Sequence, residues 1–156
     1  MPGQDEIFLR AWRVEDEDSM AQFDRRTNAI LAKSRRRVPM NERCRRILLN
    51  HLDWSSRSLS PFISVTKNKA WAFREAQRRI LQGKTDVVVH EIRVSKSRLR
   101  RYERSGKELV YGRTLTWLRR ACTDLPECAN YESTDYESLF RHQIPGIFIV
   151  KSLRMS

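Results

Sequence analysis

A mixed α+β fold is what this 156-residue chain predicts, and three stretches carry the prediction. Ile7 to Arg13 is a bulky, loosely alternating run that reads as a strand. Ser60 to Val94 reads as strand, helix, strand: Pro61 disfavours helix at Ser60, and Gly83 is placed to end the helix. Ile147 to Leu153, after a turn at Ile144-Pro145-Gly146, reads as a last strand.

The length fits one domain, 1–156, with a single core. With 40% hydrophobic and 32% charged residues, the chain is expected to fold with a heavily charged surface rather than stay disordered. No window reaches the run of about 18 apolar residues that spans a bilayer, so no membrane partner is expected. Met1 to Glu6 has neither a basic segment nor an apolar one of the kind that opens an export signal. The three cysteines, Cys44, Cys122 and Cys128, have no CxxC or Cys-His spacing. They argue against a metal site and for a reducing compartment, cytoplasmic or nuclear. Lys and Arg number 31 against 19 Asp and Glu, a net charge of +12 that attracts polyanions or reflects a solvated basic face.

In the first strand Phe8, Arg10 and Trp12 share one face, and Leu9, Ala11 and Arg13 the other. Arg10 between two aromatics either lies over an apolar surface or reaches for a phosphate or carboxylate. The acidic run Glu15 to Asp18 leads into a stretch to Arg37 with weak helical periodicity, read as a short helix and a loop that ends in a basic cluster. Asn41 is a fitting cap for a helix to about Leu52, and Asp53 to Ser58 is turn chemistry.

The strand Phe62 to Thr66 sets two hydroxyls, Ser64 and Thr66, on one face. They suit either a half-buried edge or a strand that lines a cleft. After Asn68, Ala70, Phe73, Ala76 or Gln77 and Ile80 form the stripe of a helix to Leu81, with Arg74, Arg78 and Arg79 facing elsewhere. Val87 to Val94 suits a strand flanked on both sides, with His90 as a core residue lacking an acidic neighbour at a recognisable spacing. Further on, a short basic helix from Ser97 to about Tyr102, a brief strand Leu109 to Tyr111 and a helix Thr114 to Ala121 are expected. Tyr131 to Glu137 gathers carboxylates before the closing strands.

Three separated pieces resemble the ADP-ribosyltransferase fold of the arginine-serine-glutamate class. More narrowly, His51-Leu52-Asp53-Trp54 through Ser60 to Thr66, with Glu137 to Pro145, resembles a fungal domain family of unknown function related to those enzymes. The matching segments span Phe8 to Val150. The resemblance implies two small, mostly antiparallel sheets around a cleft, with helices before and between them.

It also implies NAD as substrate. Arg10 takes the place of the arginine that contacts the NAD phosphates or ribose, with Ser64 and Thr66 on the serine strand; Arg13, on the other face, is the lesser candidate. Ser64 fits the residue that orients the catalytic glutamate, Glu137, and Asp135 or Tyr136 would meet the acceptor. Ser64-Val65-Thr66 departs at two positions from the Ser-Thr-Ser of the class, and Asp135-Tyr136-Glu137 keeps the spacing of the last motif with a shorter first carboxylate. The implied activity is transfer of ADP-ribose to an unknown macromolecular acceptor, protein or nucleic acid, or hydrolysis of NAD. The alternative is an inactive module that binds a polyanion or partner protein.

Overall fold

The computed structural model describes residues 7–34, 60, 62–95, 97, 109–110 and 137–156, and within them every strand pairing is antiparallel. In chain order the elements are β1 (Ile7–Glu15), β2 (Ala21–Asp24), β3 (Ala29–Ala32), β4 (Phe62–Thr66), α1 (Lys69–Leu81) and β5 (Val88–Ser95). They continue with β6 (Leu109–Val110), β7 (Glu137–Arg141), β8 (Gln143–Ile144), a 3-10 turn (Gly146–Phe148) and β9 (Ile149–Arg154). Six strands form one sheet in the order β6-β7-β4-β1-β5-β9, and three form a second, β2-β3-β8. The mixed α+β class is as the sequence predicts, and the sheets are antiparallel as expected, though one of them has six strands; one α-helix is present among the described residues.

The period-2 pattern of the strands divides the core into two layers. Leu9, Ala11, Ile63, Val65, Ile92, Val94 and Phe140 of the large sheet pack against Ala21, Ile30, Ala32, Ile144 and Phe148 on the side of the small sheet. Trp12, Val14 and Val89 face the other way and meet Ala72 and Ala76 of α1, with Phe73 and Ile80 partly buried beside them. Complete burial of each large side chain contributes about 1.5–3 kcal/mol.

Helix α1 begins and ends where its caps dictate. Asn68 Oδ1 accepts the backbone N–H of Trp71 at 3.0 Å, and Gly83, at φ +83°, follows the last turn in the left-handed conformation. Its inner face matches the predicted stripe at Phe73, Ala76 and Ile80 and departs from it at Ala70, which is exposed, while Ala72, outside the predicted stripe, is buried. The expected basic side is also partly consumed: Glu75, itself buried, binds Arg78 Nε at 2.6 Å, and Arg79 donates to Asp16 at 3.0 Å. Arg74 remains exposed.

The expected short helix and loop after the acidic run is instead the β2–β3 hairpin. Its turn is held by Asp24, which accepts the Thr27 hydroxyl at 2.8 Å, and by Asn28 at φ 56°. The Thr27 hydroxyl holds the Asp24 carboxyl below its ordinary 3.8. Glu15 and Asp16, at the start of the acidic run, are both buried. Charged side chains tie this hairpin to the large sheet: Arg13 donates to the Ala21 carbonyl at 3.1 Å, and Glu15 accepts the Phe23 N–H at 3.0 Å. The predicted helices near Asn41, Ser97 and Thr114 and the turn at Asp53 lie wholly or almost wholly outside the described residues. Leu109–Val110 does form a two-residue strand.

Candidate functional site

Three adjacent strands, β7, β4 and β1, carry the residues that the sequence singles out. Trp12 on β1 lies opposite Thr66 on β4, and Thr66 lies opposite Glu137 on β7, so the three form one cross-strand row. Ser64 lies opposite Leu139, one row along. Paired residues of an antiparallel ladder share a face, which sets positions 64, 66 and 137 on the α1 side of the large sheet. Ser64 and Glu137 are diagonal neighbours in the ladder, with backbones about 7–8 Å apart.

Arg10 shares that face, two residues before Trp12, on the far side of the row from Ser64. The offset between Arg10 and the row of Ser64 is four residues, about 13 Å along the strand. Arg10 is exposed; it donates to Glu91 Oε1 at 3.2 Å, and its guanidinium carbon lies 5.0 Å from the centroid of the Trp12 ring. Of the two interpretations of Arg10, carboxylate binding and stacking on an aromatic are both realised. Ser64 is half-buried. Thr66 is half-buried as well, and its hydroxyl accepts the Asn68 N–H at 3.1 Å, which shapes the entry to α1. Asp135 and Tyr136 lie outside the described residues.

Arg13 belongs to the opposite face, between the sheets. It donates to the carbonyls of Ser64 and Ala21 at 3.2 and 3.1 Å. Burial lowers its pKa to about 10, against the opposing pull of Glu15. The guanidinium thus stays charged at neutral pH and needs the carboxylate beside it. His90, expected to lack an acidic neighbour, has one brought by tertiary structure: its Nε2 lies 3.7 Å from Glu15 Oε1, and its Nδ1 lies 2.7 Å from the Ser152 hydroxyl. Phe23 stacks on its ring with centroids 5.7 Å apart.

Two residues on the α1 face escaped the reading of the sequence, Glu91 and Arg93. Arg93 is the register partner of Arg10, and its Nε lies 2.9 Å from Glu91 Oε2. The signal was present in the alternation Glu91-Ile92-Arg93-Val94, which sends both charged residues to one side. Among the described residues no group of three or more His, Cys, Asp or Glu is placed to hold a metal ion, and no helix is long and apolar enough to cross a membrane.

No curated protein and no solved structure matches the chain. A family model described as "Domain of unknown function (DUF7587)" matches residues 9–156. Since that match begins within β1 and runs to the last residue, the chain belongs to this family of domains of unknown function.

Proposed function

We propose that the domain is a mono-ADP-ribosyltransferase-like enzyme that uses NAD as substrate, with a protein or nucleic acid as acceptor, or water in the hydrolytic case. The observation that carries this reading is the register: Arg10, Ser64, Thr66 and Glu137 occupy one face of three neighbouring strands although they are dispersed along the chain. The span of about 13 Å from Arg10 to the row of Ser64 suits a dinucleotide whose phosphates and reacting ribose lie apart.

In the reaction, the bond between the ribose C1′ and the nicotinamide nitrogen breaks and its electron pair leaves with nicotinamide. Positive charge develops on the ribose ring. The Glu137 carboxylate accepts a hydrogen bond from a ribose hydroxyl and stabilises that charge, with Ser64 orienting the carboxylate. The acceptor forms the new bond at C1′ and gives its proton to a base, for which Asp135 is the nearest candidate in sequence.

A second reading is a module that binds a polyanion or partner protein without turnover. The departures Ser64-Val65-Thr66 and Asp135-Tyr136-Glu137 favour it, as does the occupation of Arg10 by Glu91. Incubation with NAD labelled in the nicotinamide ring separates the two. Release of nicotinamide by the wild type and its loss in Glu137→Gln, with an unchanged circular dichroism spectrum, is the expected result. Release that persists in Glu137→Gln rules out the assignment, and no release together with a salt-dependent shift of DNA or RNA favours the module.

A further inference from the structure

Arg10 and Arg93 face each other directly across the β1–β5 ladder. Like charges in that position destabilise a sheet unless something lies between them. Glu91 does so, with Oε1 3.2 Å from Arg10 and Oε2 2.9 Å from Arg93. Lys151 on β9 is the register partner of Glu91, is exposed, and makes no ion pair with a described residue. Two guanidiniums therefore flank one carboxylate, with Lys151 at the adjacent register position on the same face, so positive charge is in excess there. Burial works to raise the Glu91 pKa, but the bonds from Arg10 and the charge of Arg93 outweigh it and hold the carboxyl below 4.5, so the bridge is ionised at neutral pH.

We propose that Arg10 and Arg93 form a two-guanidinium clamp, flanked by Lys151 and held in register by Glu91, that binds the pyrophosphate group of a dinucleotide. The choice of a dinucleotide rests on the NAD reading above; the anion site rests on the geometry alone. The side chains of Arg10 and Arg93 are 47% and 43% exposed, and each guanidinium has five N–H donors, of which Glu91 engages only a part. Two planar forks side by side suit the paired oxygens of vicinal phosphates better than single ammonium groups do. The carboxylate and the Trp12 ring fix Arg10 beforehand, which lowers the ordering cost of binding. Arg93 thereby becomes a phosphate-binding residue and Glu91 a positioning residue.

Calorimetric titration of the full chain with inorganic pyrophosphate at low salt tests the clamp. Arg10→Gln and Arg93→Gln are each expected to weaken binding about tenfold, the loss of one charge-assisted hydrogen bond. Arg26→Gln, which removes the same charge from the exposed turn of the small sheet, is expected to stay within about twofold of the wild type. Glu91→Gln gives up part of the ordering of the two guanidiniums but removes the carboxylate that competes with phosphate for their donors; the charge gained outweighs the order lost, so binding is expected to tighten, a direction that misfolding does not produce. The clamp is overturned if the wild type does not bind pyrophosphate, or if Arg93→Gln loses no more affinity than Arg26→Gln. Nicotinamide release on the same proteins separates the two ideas. Arg93-dependent pyrophosphate binding without NAD consumption keeps the anion site and sinks the transferase reading, whereas NAD consumption with an unchanged KM in Arg93→Gln does the reverse.

Discussion

His90 Nε2 lies 3.7 Å from Glu15 Oε1, with both side chains buried between the two sheets and Arg13 Nε 4.0 Å from the same oxygen. None of these three atoms has a hydrogen-bond partner among the described residues, so their mutual electrostatics stand in for hydrogen bonds. Glu15→Ala strands a buried guanidinium and also orphans the Phe23 N–H, and is expected to cost about 3–5 kcal/mol in urea unfolding. The double variant Arg13→Met, Glu15→Met is expected to lose less than the sum of the two single losses. Additive losses would show that the pair is not coupled.

Gly146 sets the distance between the 3-10 turn and the β2–β3 hairpin. A Cβ there would lie 2.5 Å from the Asn28 carbonyl oxygen, a backbone atom that cannot rotate away. Gly146→Ala is expected to destabilise the fold by about 1–3 kcal/mol, read as a lower urea midpoint.

Asn68→Ala removes the acceptor for the Trp71 N–H at the start of α1. The expected loss is about 1 kcal/mol, with Asn68→Asp retaining most of the stability. Equal loss in both variants would assign the effect to something other than capping.

Protonation of Glu91 dissolves the bridge between Arg10 and Arg93. Its folded pKa lies below its ordinary 4.5, so the stability it contributes is fully present above that value and is lost as pH falls through the folded one. The difference in melting temperature between the wild type and Glu91→Gln is therefore expected to shrink below about pH 4.5. Exposure of both arginines keeps the contribution within about 1 kcal/mol.

If Ser64 orients Glu137, Ser64→Ala slows nicotinamide release by about a hundredfold with little change in stability. Thr66→Val, by contrast, removes the acceptor of the Asn68 N–H and is expected to act on stability more than on turnover. Comparison of kcat and melting temperature for the two variants distinguishes the roles.

The amino-acid sequence by itself determined the elements whose signals are local. The alternation of Leu9, Ala11 and Arg13 against Arg10 and Trp12 gives β1, and the caps Asn68 and Gly83 bound α1 to within a residue of its observed start. It also set Arg10 and Arg13 on opposite faces, since a strand's side chains alternate whatever its neighbours are. The β2–β3 hairpin was illegible because its strands are four residues long, too short for periodicity to separate strand from helix. The burial of Glu15 and Asp16 was illegible because Arg79 and the Phe23 N–H, which help to make it tolerable, come from other elements. For the same reason only the tertiary structure decided the company of each candidate: Glu91 and Arg93 beside Arg10, Thr66 between Trp12 and Glu137, Glu15 beside His90. Such pairings are fixed by the register between strands distant in sequence, which no local pattern encodes.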